Sequence, residues 1–149
     1  MSAGNLSEHC CVTKIYSFSA GHRLSIERLT AEENSKVFGK CSNPRGHGHD
    51  YYLEVRVEGK ISPDTGMIVH LNDLDSSVNN IISELDHKRL DIEVEYFSEN
   101  QSTGENIVRF FWVKLSGNVE GCRLVYLKLW ETGNNYFEYF EEKDIKYAN

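Results

Sequence analysis

Apolar and polar residues alternate in two parts of the chain, residues 11–20 and 47–59. A period of two is typical of β-strands with one buried face. In the second stretch the odd positions carry the apolar side chains, namely Tyr51, Leu53, Val55 and Val57. We therefore expect two strands, and a turn over residues 62–66 that joins the second to a short strand over 67–71 as a hairpin.

Helical spacing and capping signals predict three helices. Residues 30–33 form a capping box for a short helix over about residues 31–37, and Gly39 is a suitable end for it. Asn72 can cap a second helix, whose apolar face comprises Leu74, Val78, Ile81, Ile82 and Leu85. A second capping box at residues 102–105 opens a third helix, whose apolar residues are Ile107, Phe110, Phe111 and Leu115.

The C-terminal part predicts a hairpin, because two apolar stretches, residues 122–131 and 136–140, flank a Gly-Asn-Asn turn. The resulting order is strand, short helix, hairpin, helix, helix, hairpin, which is typical of an α+β fold. We expect an antiparallel four-stranded sheet with two long helices on one face, in a single domain over residues 11–140. Residues 1–10 are expected to be flexible, and residues 141–149 to form a C-terminal tail.

The predicted sheet has two features that point to association. Its last two strands carry apolar residues on both faces, and its edges are exposed. Proteins normally pair or cover such edges. We expect subunits to join edge to edge, or the second face of the sheet to be buried in an oligomer.

Composition and charge exclude several classes of protein. The formal net charge of −7 argues against nucleic-acid binding. No run of about 18 apolar residues is present, so we expect no membrane span. The first eight residues lack an apolar signal segment, and the four cysteines include no C-x-x-C pair. We therefore expect free thiols in the cytoplasm and no cysteine-based zinc finger.

Three histidines are positioned to converge. His47 and His49 share one face of the predicted second strand, the face of its apolar side chains. His22 continues the apolar face of the first strand. Imidazoles on an apolar face need partners, which are either hydrogen bonds in the core or a metal ion. Zinc suits such ligands, and three protein ligands leave a fourth position open, as in catalytic sites.

Four further residues are candidates for a catalytic or binding role, and each could instead have an ordinary structural role. Cys41, in a loop with Pro and Gly, is either a buried thiol or a thiolate base beside a metal or charged imidazole. Asp86 and His87 are either polar residues at a helix end or a carboxylate that orients an imidazole. Glu131 is either an exposed charge or a buried carboxylate that receives the paired donors of a heterocycle.

In combination these residues resemble the 6-pyruvoyl-tetrahydropterin synthase family, although any one motif alone would be weak. The resemblance extends over residues 11–140. The matching motifs are Phe-Ser-Ala-Gly-His-Arg-Leu at 18–24, Phe-Gly-Lys-Cys at 38–41 with Asn43 and Pro44, Gly-His-Gly-His at 46–49, Thr-Gly-Met at 65–67, Leu-Asp-His-Lys at 85–88, and Glu131 and Thr132 followed by Asn134 and Asn135.

The resemblance implies a role for each candidate residue. The zinc ligands of the family fall on His22, His47 and His49. Cys41 falls on the base cysteine, and Asp86 and His87 fall on the Asp–His pair that relays protons. Glu131 falls on the glutamate that anchors the pterin, and Thr103 lies in the segment that helps to hold the ring.

The resemblance also implies an assembly and a reaction. The fold would be the tunnelling fold, in which trimers close a β-barrel and two trimers stack as a homo-hexamer with sites between subunits. The substrate would be 7,8-dihydroneopterin triphosphate, converted to 6-pyruvoyl-tetrahydropterin and triphosphate in tetrahydrobiopterin biosynthesis. Zn²⁺ would act as a Lewis acid, and no external redox cofactor would be needed. Cys41 and the Asp86–His87 pair would come from different chains.

The chain departs from the family pattern at three positions. Gly21 stands where serine is common, His70 where asparagine or aspartate is usual, and Gly104 replaces a hydroxyl residue in the segment that holds the pterin. The contacts to the pterin ring are the detail that these departures affect most.

Two alternative functions compete with this interpretation. One is a 6-carboxy-tetrahydropterin synthase-like or aldehyde-releasing enzyme with the same ligands. The five residues between Cys41 and His47 argue against it, because bacterial carboxy-type enzymes usually have a shorter spacing. The other is a non-catalytic zinc- or pterin-binding module, which the presence of the complete set of catalytic residues disfavours.

Overall fold

Two long antiparallel strands form the centre of the fold in a computed structural model that describes residues 8–148. Strand β1 (His9–His22) pairs with strand β2 (His47–Lys60) along its whole length. The register runs without a break from His9 opposite Lys60 to His22 opposite His47. The pairing therefore ends at the two histidines that the sequence analysis singled out.

The sheet has five strands and is mixed, so the expected four-stranded antiparallel sheet is wrong in this respect. Strand β3 (Lys88–Arg89) lies parallel to β1, and strands β4 (Arg123–Thr132) and β5 (Asn135–Tyr139) extend the other side in the order β3-β1-β2-β4-β5. The expected strand over residues 67–71 does not form: Ile68 and Val69 are buried without pairing with β2, and the next helix already begins at Leu71. A two-residue strand such as β3 is too short to show periodicity.

The three predicted helices are present, together with two single-turn helices between the second and the third. In chain order the helices are α1 (Ala31–Phe38), α2 (Leu71–Leu85), α3 (Leu90–Glu93), α4 (Tyr96–Glu99) and α5 (Gly104–Leu115). Short 3-10 helices cover Gly39–Ser42 and Glu142–Tyr147. None of the helices within residues 8–148 combines the length and the apolar character needed to cross a bilayer.

The capping signals were only partly correct. The capping box of α1 is confirmed. The Thr30 hydroxyl accepts from the backbone N–H of Glu33, and the Glu33 carboxylate accepts from the backbone N–H of Thr30. Helix α2 begins one residue before the predicted cap Asn72. At α5 the cap is Thr103 rather than the residue before it, and its hydroxyl accepts from the backbone N–H of Asn106. Neighbouring hydroxyl residues compete for the same cap position, and the sequence does not choose between them.

One apolar core joins the sheet to α2 and α5. The odd-numbered side chains of β2 that form its floor are fully buried: Tyr51, Leu53, Val55 and Val57. Helices α2 and α5 cover it with Leu74, Val78, Leu85, Ile107, Phe111 and Leu115. His47 and His49 share the odd parity of β2, so they lie where this buried face reaches the end of the strand.

Side-chain hydrogen bonds hold the C-terminal 3-10 helix Glu142–Tyr147 against the sheet. Asp144 is 1 % exposed and accepts hydrogen bonds from two nitrogens of Arg123, at 2.6 and 2.8 Å. Arg123 also donates to Glu58, and the hydroxyl of Tyr147 donates to the same carboxylate. At the other end β1 already includes residues 9 and 10 of the segment expected to be flexible, while residues 1–7 lie outside the described part.

We expect Arg123→Met to destabilise the protein at neutral pH, because it leaves the buried Asp144 carboxylate without its cation. A fully buried pair broken in this way costs about 3–5 kcal/mol, and we expect about 2 kcal/mol here because Arg123 is half exposed. Urea unfolding measures this difference. Lys143→Met, which removes an exposed partner of Glu141, is the control and should change stability by less than about 0.5 kcal/mol.

The ion pair between Arg123 and Asp144 should also make the stability of the protein depend on pH. Hydrogen bonds from Arg123 hold the pKa of Asp144 below its ordinary value of 3.8. The stabilisation is therefore present above that value and is lost as the pH falls through the lowered pKa. The difference between the native protein and Arg123→Met should shrink when unfolding is repeated at acid pH. A constant difference, or equal stabilities of the Arg123 and Lys143 variants at pH 7, would contradict this description.

Candidate functional site

Strand pairing brings three imidazoles together at one end of the sheet. His22 ends β1 directly opposite His47, which begins β2, and His49 follows on the same face of β2. The ring centroids are 4.6, 4.8 and 5.3 Å apart, and one ligand nitrogen from each ring lies within 4.8 Å of the others. The predicted convergence of these histidines is present in the fold.

A backbone carbonyl fixes the tautomer of His22. This side chain is 1 % exposed, and its Nδ1 lies 2.6 Å from the carbonyl oxygen of Ser102. Because a carbonyl only accepts, Nδ1 carries the proton, and Nε2 of the neutral ring keeps its lone pair for a ligand. His22 Nε2 faces His47 Nε2 at 3.1 Å. The role of Ser102 could not be predicted, because a backbone carbonyl leaves no signature in the pattern of side chains.

The three histidines fit a metal ion. His49 Nε2 is buried and has no hydrogen-bond partner, and the Glu131 carboxylate lies 3.7 Å away. Burial lowers the pKa of His22, of His47 and of His49, so the rings are neutral at pH 7, the form that binds metals. An unsatisfied imidazole nitrogen beside two nitrogens that face each other is an arrangement that a divalent cation would satisfy. These three residues can therefore hold a metal ion.

Glu131 lies beside the histidines on β4. Its Oε1 is 3.9 Å from His22 Nε2, and its side chain is 16 % exposed. The side-chain amide of Asn135 donates to its Oε2 at 2.8 Å, across the turn between β4 and β5. Glu131 is thus a largely buried carboxylate held in place next to the cluster, not an exposed charge at a strand end.

Cys41 lies near the same carboxylate. It belongs to the 3-10 helix Gly39–Ser42, and its carbonyl accepts from the backbone N–H of Leu24 at 2.8 Å, which holds this helix beside the end of β1. Burial, and then the negative charge of Glu131, raise the pKa of the thiol. Cys41 therefore needs a nearby cation before it can act as a thiolate base at neutral pH.

A buried tyrosine completes this neighbourhood and was missed by the sequence analysis. The side chain of Tyr51 is fully buried, and its hydroxyl interacts with the Glu131 carboxylate. Burial, followed by the charges of Glu131 and Cys41, raises its pKa far above the ordinary value. Its position in the strongest alternating pattern of the chain made it look like an ordinary core residue.

Asp86 and His87 do form a pair, although adjacent residues rarely face each other. His87 has a φ of 58°, a left-handed conformation that few residues other than glycine adopt. As a result its Nδ1 lies 2.9 Å from Asp86 Oδ2. The backbone of Ser19 binds both residues, since its N–H donates to Asp86 Oδ1 and its carbonyl accepts from the N–H of His87. The bond from Ser19 is the main reason that the pKa of Asp86 is lowered.

The Asp86–His87 pair stands apart from Cys41 within one chain. Among residues 8–148, Cys41 has no hydrogen bond, ion pair or electrostatic interaction with either member of the pair. The imidazole of His87 is 81 % exposed. It borders a surface cavity of about 460 Å³, which His49 also lines. The structure therefore brings the histidines, Glu131 and Cys41 together but leaves this pair at the surface.

The three unusual positions have distinct surroundings. A side chain at Gly104 would overlap the ring of Phe137, since an added Cβ would lie 2.0 Å from it. A Cβ at Gly21 would lie 3.0 Å from the side chain of Arg89, which crosses β1 at this point. His70 is exposed at the start of α2 and makes no side-chain cap bond. Gly104 and Gly21 thus each make room for a larger side chain of this chain.

Known proteins resemble the chain over nearly all of its length. The family model of 6-pyruvoyl tetrahydropterin synthase matches residues 11–142. The 6-pyruvoyl tetrahydrobiopterin synthase of Homo sapiens is 45 % identical over 129 residues, 86 % of this chain and 89 % of that protein. The Drosophila melanogaster protein of the same name is 40 % identical over 130 residues, 86 % of this chain and 77 % of that protein. The solved Caenorhabditis elegans 6-pyruvoyl tetrahydropterin synthase is similar at a TM-score of 0.83 and 34 % identity, covering 90 % of this chain and 96 % of that one.

We expect His49→Ala to lose the metal. The native protein, loaded with zinc and dialysed, should retain about one equivalent by elemental analysis, and the variant should retain none because two imidazoles are too few for a stable site. His70→Ala, which removes an exposed histidine, is the control and should retain zinc like the native protein. Stoichiometric zinc in His49→Ala would refute the ligand assignment.

Proposed function

Because the chain belongs to the 6-pyruvoyl tetrahydropterin synthase family, whose enzymes act in tetrahydrobiopterin synthesis, we propose that it is a zinc-dependent carbon–oxygen lyase. Its substrate is 7,8-dihydroneopterin triphosphate, and its products are 6-pyruvoyl-tetrahydropterin and triphosphate. The observation that carries the proposal is the cluster of three histidines, one buried and two partly buried, with a largely buried carboxylate beside it.

His22, His47 and His49 are the proposed zinc ligands. The bond from His22 to the Ser102 carbonyl keeps one nitrogen available, and the unsatisfied Nε2 of His49 supplies another. When bound, zinc supplies a Lewis acid that withdraws electron density from the hydroxyl groups of the substrate side chain and so acidifies the neighbouring C–H bonds. Three protein ligands leave room for those hydroxyl groups.

Glu131 is the proposed anchor for the pterin ring. Its carboxylate accepts two parallel hydrogen bonds from the amino group and ring N–H of the pterin, a geometry in which charge-assisted bonds are strong. Asn135 restricts the carboxylate to one orientation. Thr103 is proposed to contact the ring as well, because its hydroxyl accepts from Asn106 and still has a proton to donate.

Cys41 is the proposed base. Its thiolate takes a proton from the side-chain carbon next to the one that bears the triphosphate. The C–H electron pair forms a C=C bond between these two carbons, and the C–O bond breaks so that triphosphate leaves with its electron pair. His87 returns protons during the tautomerisation that follows, since Asp86 holds its Nδ1–H and leaves Nε2 free to exchange. The side chain is oxidised while the dihydropterin ring is reduced to a tetrahydropterin by the same number of electrons. No external oxidant is therefore needed.

The separation of Cys41 from the Asp86–His87 pair supports a site shared between subunits. We place the partner's His87 beside Cys41, where a protonated imidazole would supply the cation that the thiol needs. The exposed imidazole of His87 and the open edges of the sheet support this arrangement. The assembly we propose is a homo-hexamer of two trimers, each trimer closing a β-barrel.

Two further features belong to the proposal. Residues 11–140 form the catalytic domain, followed by the C-terminal segment. The four cysteines are free thiols, which supports a reducing compartment and hence the cytoplasm.

The proposed reaction is tested by incubating the zinc-loaded protein with 7,8-dihydroneopterin triphosphate. We expect release of inorganic triphosphate and a pterin product that keeps its complete three-carbon side chain, both measured by chromatography and mass spectrometry. Acetaldehyde and a shortened side chain would instead indicate the carboxy-type or aldehyde-releasing reaction. No change in the substrate would support a binding module.

We expect Cys41→Ala to abolish turnover while zinc content and oligomeric state stay unchanged, because the thiol is close to the site but is not a proposed ligand. A loss of about 100-fold or more in kcat is the size expected for removal of a general base. Cys122→Ala is the matched control, since this thiol is also half-buried and free but lies just before β4, outside the proposed site. Activity retained in Cys41→Ala would remove the thiol from the mechanism.

A further inference from the structure

A second cavity, of about 600 Å³, adjoins the histidine cluster at His47. It lies between α1 and the 3-10 helix Gly39–Ser42, and its lining includes two cations, Arg23 and Lys40, and no carboxylate. The remaining lining residues are neutral, and most are small, among them Ala31, Ser35, Gly39 and Ser42. The cavity is thus a positively charged pocket that shares one residue with the proposed zinc site.

A lining without carboxylates is notable in a chain with a net charge of −7. Four other cavities in the described part of the chain, of about 350 to 460 Å³, each include at least one carboxylate. The cavity beside His87, for example, is lined by Asp50 and Glu93. A local positive potential in an acidic protein is suited to an anionic ligand.

Arg23 is held with its terminal nitrogens free. Its backbone N–H donates to Asp91, and its Nε donates to the Ser42 carbonyl at 3.0 Å. Neither Nη atom of Arg23, nor Nζ of Lys40, has a hydrogen-bond or ion-pair partner within residues 8–148. The cavity therefore offers a ligand two cations without partners: the anchored guanidinium of Arg23 and the ammonium of Lys40.

The carboxylate that accepts from the Arg23 backbone, Asp91, is already paired with another arginine. Asp91 accepts hydrogen bonds from Arg89 at both oxygens, at 2.9 and 2.8 Å. The side chain of Arg89 reaches this position across Gly21, where a Cβ would lie only 3.0 Å from it. Arg89 thus satisfies Asp91, which leaves the guanidinium of Arg23 for another anion.

We infer that this cavity binds the triphosphate group of the substrate, an inference that rests on the proposed function. The guanidinium of Arg23 can donate two parallel bonds to phosphate oxygens, and Lys40 contributes a point charge. A substrate whose side-chain hydroxyls lie at the histidine cluster can extend its phosphates past His47 into this cavity. The same residues would bind the inorganic triphosphate that the reaction releases.

Inorganic triphosphate is the probe for the test. We would titrate it into the zinc-loaded protein by calorimetry at low ionic strength, with zinc content measured afterwards because triphosphate can chelate the metal. Arg23→Gln and Lys40→Gln are each expected to weaken binding about tenfold, the effect of losing one charge-assisted contact. The matched controls are Arg109→Gln on α5 and Lys60→Gln, both exposed, and they should bind like the native protein.

Kinetics separate binding of the phosphates from a general structural effect. In both variants we expect the KM for 7,8-dihydroneopterin triphosphate to rise about tenfold while kcat and zinc content change little. The affinity for dihydroneopterin without phosphates should stay unchanged. Arg23→Lys, which keeps the charge but not the paired donors, should recover part of the affinity. If Arg23→Gln loses zinc or fails to fold, Lys40→Gln carries the test, because Lys40 is exposed.

The outcomes distinguish this inference from the proposed reaction. If neither variant weakens triphosphate binding, or if the native protein does not bind triphosphate, the cavity is not the phosphate subsite, even when the protein turns over the pterin. If triphosphate binds through Arg23 and Lys40 but no pterin product forms, the anion site stands and the proposed reaction is wrong.

Discussion

The register between β1 and β2 is the constraint on which the site depends. It places His22 opposite His47, and it sets the parity that turns His49 inward. A slip of one residue would move every side chain of β2 to the other face and bring Glu54 and Arg56 into the core. The burial of Tyr51, Leu53, Val55 and Val57 opposes such a slip. The hydrophobic free energy that stabilises the core therefore also holds the imidazoles together.

Burial has opposite consequences for the chemical groups at this end of the sheet. It lowers the pKa of the three histidines and thereby favours the neutral rings that a metal requires. It raises the pKa of Cys41, and the nearby Glu131 raises it further. The same environment thus prepares the imidazoles but leaves the thiol dependent on an added cation. This dependence connects the electrostatics of one chain to the metal and the neighbouring subunit that we propose.

Features with a regular period could be predicted from the sequence, and local exceptions could not. Parity placed His47 and His49 on the inner face, and spacing located the long helices. The contact between Asp86 and His87 depends on the left-handed conformation of His87, which the sequence of these two neighbouring residues does not predict. The tautomer of His22 depends on a carbonyl far along the chain. The pairing of β3 with β1 depends on backbone bonds of only two residues, too few to leave a pattern.

The central claim is that three imidazole nitrogens bind one divalent ion with a position left for substrate. X-ray absorption at the zinc edge of the zinc-loaded protein tests it most directly. We expect three imidazole nitrogens at about 2.0–2.1 Å and one oxygen ligand, with no sulfur in the coordination shell. A sulfur ligand at about 2.3 Å, which would make Cys41 a ligand rather than a base, or fewer than three imidazoles, would contradict it.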